Sequence, residues 1–293
     1  MSRLALGTAQ FGLDYGISNN RGRIPKEEVF SILDLAANSG IETLDTAPAY
    51  GTSEEVIGEY LKKHTNKFSI VSKLSKESFP NVKGSVDGIL RRLGVNDIYG
   101  ILFHHFDDFK NDPDHFRSLQ DMKAAGKIKK IGFSLYSTAD LDHLFDSDID
   151  FDLIQVPYNV FDQRFEKYFN KLAERGIEIH TRSVFMQGLF FMDMDKLDPF
   201  FLNVKKNLEY IHLVAEDLKI SMVELCLGFV LLNKKIDKVV VGVDSINNLR
   251  EIISASKNYE RVRNVYSGLT AICIKDEKCL LPFNWKLAPK GDK

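Results

Sequence analysis

Three short apolar runs of the chain end in residues able to move a proton. Leu44 leads into Asp45-Thr46-Ala47-Pro48-Ala49-Tyr50-Gly51, Val71 into Ser72-Lys73, and Leu102-Phe103 into His104-His105. Each type alone has an ordinary structural role: the acid as a helix cap, the lysine as a solvated end, the histidine as a satisfied polar group, the tyrosine as packing. Together they make a working set. A tyrosine with a pKa of about 10 exchanges protons poorly at neutral pH. A neighbouring ammonium stabilises tyrosinate and brings that pKa toward useful acid–base range. Lys73 can act this way if Asp45 keeps it charged and aimed, and His104 can then orient a carbonyl oxygen. The chemistry that fits is carbonyl reduction, with hydride going to carbon and a proton to oxygen.

Such a set works only if the runs lie side by side. Apolar runs occur at Leu4–Leu6, Thr43–Leu44, Phe68–Val71, Ile98–Phe103, Lys130–Phe133, Leu153–Val156, Ile177–Ile179 and Lys238–Val241. Between them, Glu27–Ser39, Glu54–Lys63, Val86–Leu93, Asp114–Ala125, Ala139–Phe145, Phe165–Arg175 and Ile246–Ser256 read as helices. Gly40, Gly94, Gly126 and Gly176 end four of them, and Ser53 and Ser137/Thr138 mark starts. Strand–helix alternation repeated about eight times predicts a parallel α/β barrel, whose chemistry sits at the carboxyl ends of its strands. An open doubly wound sheet shows the same alternation. It lacks support here, because Gly7-Thr8-Ala9-Gln10-Phe11-Gly12 is a poor Gly-x-Gly-x-x-Gly and opens no helix directly. Helices near Asn203–Leu218 and Ser221–Leu232 both precede the last strand, so one is additional. A tail from about residue 259 is expected to pack over the barrel, within one domain spanning 1–293.

The surrounding segments resemble the aldo-keto reductases over nearly the whole chain. Asp45-Thr46-Ala47-x-x-Tyr50-Gly51, Ser72-Lys73 and Leu102-Phe103-His104 are similar to that family's second, third and fourth strand ends. Gly132-Phe133-Ser134, Gln155-Val156-x-Tyr158-Asn159 and Arg182-Ser183 through Gly188-Leu189 are similar to its fifth, sixth and seventh. The resemblance implies a (β/α)8 TIM barrel holding a nicotinamide cofactor across its mouth. It implies Tyr50 as proton donor, Lys73 and Asp45 as its tuning pair, and His104, not His105, in the catalytic register. Ser134 and Gln155 would hold the carboxamide. Arg182 would stack on the ring where many members have tyrosine. Ser183, Gly188, Gly242, Ser245 and Asn248 would meet the pyrophosphate and adenosine. Leu135 stands where an asparagine is common, removing one carboxamide contact. The basic residue expected near Asn248 is absent, and Asp244 would repel a 2′-phosphate unless Arg250 turned inward. The family implies NADPH, with NADH possible. Phe11 and His105 are candidate substrate contacts, and Arg182, Arg164 and His105 would suit an anionic or hydroxyl-rich substrate. Other uses of such a barrel are a cofactor-binding regulatory subunit with little turnover, or a lyase or isomerase that forms a Schiff base on Lys73.

Composition narrows the classes further. The 293 residues carry a net charge of −2, which argues against nucleic-acid binding. No apolar stretch approaches the roughly 18 residues of a membrane span, and the start shows no signal-peptide pattern, so a cytoplasmic protein is expected. Cys226, Cys273 and Cys279 read as reduced thiols. No metal is expected: His104 and His105, adjacent on a strand end, should point to opposite faces and spoil convergence with Asp107 and Asp108. Lys127, Lys129 and Lys130 read as a solvated run below the barrel. The partner is a small-molecule carbonyl compound, and oligomeric state is not legible.

Overall fold

The computed structural model describes residues 2–285 except Ser18, Asn20, Pro113 and Asp148; the side chain of Asn111 is also left aside. Eight parallel strands close into a barrel: β1 Leu4–Gly7, β2 Thr43–Asp45, β3 Ser69–Leu74, β4 Ile98–Phe103, β5 Ile128–Ser134, β6 Leu153–Pro157, β7 Glu178–Arg182 and β8 Lys238–Gly242. β1 pairs with both β2 and β8, which closes the ring. The expected (β/α)8 architecture is therefore what forms.

Side chains on the outer faces of the strands, among them Leu44, Phe103, Phe133, Ile154 and Ile179, are buried beneath the helices in one continuous core. Fully burying such a side chain contributes roughly 1.5–3 kcal/mol, so this layer, not the barrel interior, supplies most of the hydrophobic stabilisation. Inside, Val71, Leu102 and Leu153 form only a small apolar plug. At the amino-terminal floor the interior is polar. Glu178 Oε2 accepts from Tyr99 Oη at 2.7 Å and from Lys130 Nζ, while Glu178 Oε1 pairs with His180 Nε2 at 2.9 Å. This explains two departures from the sequence reading. β7 extends past its apolar triplet because its inward positions are Glu178, His180 and Arg182. Lys130 is not merely solvated, because it enters the barrel to meet Glu178.

Gly40, Gly94, Gly126 and Gly176 all adopt positive φ, as their helix-ending positions require. Ser137 caps the helix Thr138–Asp146, accepting from Ala139 N. Ser53 does not cap; it is the first helical residue, and its hydroxyl serves another purpose described below. The stretch 165–175 forms a short turn and then the helix Phe169–Glu174, not one continuous helix. Of the two helices before β8, Met222–Leu232 is capped by the reciprocal Ser221/Glu224 pair and is almost wholly buried. The helix Lys205–Leu218 leaves Tyr210 and Leu213 exposed and is the additional one. The tail runs back along the barrel: Ile274 N donates to Phe161 O, Trp285 meets Phe201 edge-on, and Pro282 and Phe283 reach the mouth. No helix among the described residues is long and apolar enough to cross a membrane.

Candidate active site

The mouth of the barrel opens into a cavity of about 1150 Å³ that runs from the ends of β2–β4 across to the loop after β8. The end at β2–β4 is built by chain segments that approach unusually closely. A Cβ on Gly12 would lie 1.8 Å from Tyr50 O and 2.6 Å from Ser53 N, so only glycine lets the loop after β1 support the Tyr50 loop. Beneath it, Ser53 Oγ donates to Thr8 Oγ1 at 2.8 Å and lies 3.1 Å from Thr46 Oγ1. Thr8 N and Oγ1 both donate to Asp45 O. Gly12 and Ser53, read from sequence as a failed nucleotide motif and a cap, are thus supports that hold the Asp45–Tyr50 segment.

Asp45, Tyr50, Lys73 and His104 converge at this end. Lys73 Nζ donates to Asp45 Oδ1 at 2.6 Å, to Thr46 O at 3.1 Å and to Tyr50 Oη at 3.4 Å. Lys73 is 1% exposed and Asp45 3%. Gln155 Nε2 donates to the other carboxylate oxygen, Asp45 Oδ2, at 2.7 Å. The Tyr50 and His104 rings meet edge-on with centroids 6.2 Å apart. Burial opposes the Lys73 ammonium, but Asp45 and Tyr50 outweigh it and its pKa lies above the ordinary lysine value. Tyr50 departs from the sequence expectation. Burial lifts its phenol above the usual range and exceeds the downward pull of Lys73, so the hydroxyl keeps its proton at neutral pH. His104 is pushed down to about 3, first by burial and then by the charges of Lys73, His105 and Arg182. It is a neutral imidazole over the whole physiological range.

The remaining candidates divide. Ser134, Gln155, Arg182, Ser183, Gly188, Gly242 and Asn248 all line the cavity. Ser245 does not; it caps the helix Ile246–Lys257, accepting from Asn248 N, while its hydroxyl donates to Asp244 Oδ1. Phe11 lies in the core at 1% exposure, because the helical turn Ala9–Gly12 directs it inward, so it is not a substrate contact. His105 is exposed and outside the cavity. Its ring does not oppose that of His104 as expected but stacks on it, 4.9 Å away and 17° from parallel. The strand ends at Phe103, so face alternation no longer applies beyond it. Arg164 is held by Asp162 and Glu277 and is not a substrate contact. Arg250 donates to Asn247 and does not line the cavity.

Three contributors were given no role by the sequence reading, although Asn159 and Gln187 stood within its quoted segments. Tyr136 lies under the Arg182 guanidinium and is met edge-on by Phe283 from the tail. Asn159 Nδ2 donates to Ser183 O at 3.0 Å, bracing a residue with φ of 62°. Gln187, with φ of 53°, donates to Tyr15 Oη through its side chain and accepts from Ile17 N through its carbonyl. These bonds tie the loops after β6, β7 and β1 together. Only the tertiary pairing of the loops reveals them.

The model of the aldo/keto reductase family matches residues 3–272. The chain is 22% identical to pyridoxal 4-dehydrogenase of Microbacterium luteolum, over 86% of this chain and 88% of that one. It is 26% identical to the oxidoreductase YqkF of Bacillus subtilis, over 87% and 91% of the two chains. Among solved structures, the holo form of aldo-keto reductase AKR11C1 from Bacillus halodurans superposes with a TM-score of 0.72 at 21% identity, covering 94% of each chain.

Proposed function

The chain belongs to the aldo/keto reductase family of NAD(P)-dependent oxidoreductases, and we propose that it reduces an aldehyde or ketone to the alcohol, with Tyr50 giving its proton to the carbonyl oxygen. The observation that carries this reading is the convergence of a protonated phenol, a buried charged ammonium and a neutral imidazole on one end of one cavity. When bound, the nicotinamide cofactor supplies the hydride. The protein's own groups handle the oxygen. Tyr50 Oη donates to the carbonyl oxygen as charge develops there, and Lys73, 3.4 Å away, stabilises the tyrosinate left behind. Asp45 keeps Lys73 charged, and Gln155 holds the second oxygen of Asp45. His104 is neutral, so it can direct a ring N–H at the same oxygen without itself titrating.

The cavity fits an extended dinucleotide. Gln155 gives its amide N–H to Asp45, which leaves its own oxygen to accept from a carboxamide, and Ser134 lies beside it on the paired strand. Past β8 the lining includes Asp244 and Glu251, and from the segment after β7 it includes Asp193 paired with Lys196. The nearby guanidinium of Arg21 is engaged by both oxygens of Glu28 and by Asp244 O. NADPH, the form implied by the resemblance, would bring its 2′-phosphate to acids; NADH would bring a hydroxyl that they can accept from. We read NADH as the better-fitting form. The Schiff-base alternative is disfavoured, because a nucleophilic lysine must be neutral and Lys73 is held charged by Asp45.

The test is depletion of NADH and of NADPH with a panel of sugar, hydroxy and aromatic carbonyls. Turnover is expected with at least one carbonyl, faster at low cofactor concentration with NADH. Tyr50→Phe should cut kcat by about 10²–10⁴-fold, the usual contribution of a positioned general acid, while cofactor Kd stays within about twofold. Turnover in Tyr50→Phe at the wild-type rate would refute the assignment, and cofactor binding without turnover in the wild type would favour a regulatory subunit.

A further inference from the structure

One charged side chain in the cavity wall is not used by the proton transfer. The Arg182 guanidinium carbon lies 3.9 Å from the centre of the Tyr136 ring, in stacking range. Its Nη2 donates to Leu135 O at 3.1 Å and its Nη1 to Ser183 Oγ at 3.3 Å, while the buried Nε has no partner. These partners fix the guanidinium without neutralising it. Among the described residues no carboxylate pairs with Arg182, whereas Lys73 has Asp45 and Arg164 has Asp162. The charge also reaches His104, since it contributes, after burial, Lys73 and His105, to keeping that imidazole unprotonated. Arg182 is therefore an immobilised, uncompensated cation in the wall of the cavity in which hydride is delivered.

We propose that Arg182 makes the site bind the reduced nicotinamide cofactor in preference to the oxidised one, favouring turnover in the direction of carbonyl reduction. The proposal rests on the reading of the cavity as a nicotinamide-dependent carbonyl-reducing site. In that reaction the hydride forms the new C–H bond at the carbonyl carbon. The C=O π pair takes the Tyr50 proton, which solvent then replaces. The nicotinamide ring is neutral before the transfer and carries a positive charge after it. A fixed cation nearby leaves the reduced form untouched and repels the oxidised one. Like charges sharing one partly buried cavity wall, at an effective dielectric of about 20, can repel by the equivalent of over a hundredfold in affinity. Solvent at the open mouth screens part of this, leaving on the order of tenfold. The oxidised cofactor then leaves more readily than it would from a neutral site. Arg182 acts on cofactor redox-state specificity and takes no part in the proton transfer.

The experiment is calorimetric titration of the wild type, Arg182→Gln and Arg182→Lys with NADH, NAD+, NADPH and NADP+ separately. The expected result is that the ratio of oxidised to reduced Kd falls about tenfold in Arg182→Gln and is largely kept in Arg182→Lys. A purely structural role, in which Arg182 only props Tyr136 and the loop after β5, would weaken both forms together; an unchanged ratio overturns the proposal. An unchanged ratio combined with lost discrimination between carboxylate-bearing and neutral carbonyl substrates would reassign Arg182 to the substrate and overturn it as well. If the wild type binds neither form, the carbonyl-reductase reading fails first and this proposal falls with it.

Discussion

Replacing Asp45 with asparagine separates the positioning of Lys73 from its charge. In the wild type, Lys73 Nζ and Asp45 Oδ1 are 2.6 Å apart, and both residues are almost fully buried. Asparagine keeps the shape and one accepting oxygen but removes the anion, leaving a buried ammonium whose acceptors, the amide oxygen, Thr46 O and Tyr50 Oη, are all neutral. Removing one partner of a buried pair costs about 3–5 kcal/mol. At roughly 2–4 °C per kcal/mol, the melting temperature should fall by about 10 °C. The pH dependence gives the sharper test. The wild-type Lys73 pKa is raised, so its contribution is complete below the unfolded lysine value of about 10.4 and is lost as pH rises through the folded value. Without Asp45, burial dominates and the folded pKa drops below the unfolded one. The unfolded chain then binds the extra proton, and the variant gains stability as pH rises toward about 10.4. The stability gap between the two proteins should therefore narrow steadily between pH 7 and pH 10.5, read from urea midpoints at half-unit steps. In the double variant Asp45→Asn/Lys73→Met most of the loss should be recovered, because no unpaired charge remains. A gap that does not change with pH, or a double variant no more stable than the single, would refute the account of Asp45 as the group that keeps Lys73 charged.

Two further outcomes follow from the supports of the site and from the barrel floor. Gly12→Ala should cost at least about 2 kcal/mol and lower kcat, since the added methyl would meet Tyr50 O at 1.8 Å and displace the loop carrying the proton donor; a stable, fully active variant in urea and turnover assays would show that the loop shifts freely. Glu178→Gln should cost about 2 kcal/mol at pH 7. Burial works against the Glu178 charge, but His180, Lys130 and Tyr99 outweigh it and bring its pKa down to about 2. A lowered carboxylate pKa stabilises above the unfolded value of about 4.3 and is lost as pH falls toward 2, so the wild type should show an acid-labile component there that the variant lacks in acid titrations followed by circular dichroism.

The eight strands were legible because their outer faces must be apolar to meet the helices, and Ile98–Phe103 or Leu153–Val156 therefore stands out against its polar neighbours. β7 was read short for the converse reason. Its inward positions, Glu178, His180 and Arg182, are polar because the barrel interior holds an ion-pair network and a cavity wall in place of a hydrophobic filling. The ends of β2, β3 and β4 revealed Asp45, Lys73 and His104, since a polar residue that closes an apolar run has few places to go but the mouth. Phe11 and His105 were misplaced because sequence gives position along the chain but not the direction of a side chain once regular structure stops. Phe11 sits in a single helical turn and His105 two residues past the end of β4. The close approach at Gly12 and the brace from Asn159 to Ser183 depend on backbone atoms of other loops, and no local pattern encodes them.

The electrostatics of the mouth follow from this uneven legibility. Asp45 compensates Lys73, whereas among the described residues no carboxylate pairs with Arg182, so Arg182 on β7 leaves a net positive charge in this part of the cavity wall. Of the protonation states there, that charge adds to burial in keeping His104 neutral, whereas Tyr50 keeps its proton because burial exceeds the pull of Lys73. Positive charge also favours negative charge on oxygen, both on a carbonyl becoming an alkoxide and on Tyr50 after it has released its proton. The same stabilisation of negative oxygen would serve either direction; only the proposed repulsion of an oxidised, cationic ring by Arg182 would favour reduction. Past β8 the cavity is lined by Asp244 and Glu251, while Asp193 is paired with Lys196. On the proposed reading, a dinucleotide lying across the cavity would have Arg182 toward its ring and Asp244 and Glu251 toward its adenosine, an arrangement that favours a neutral ring and no 2′-phosphate.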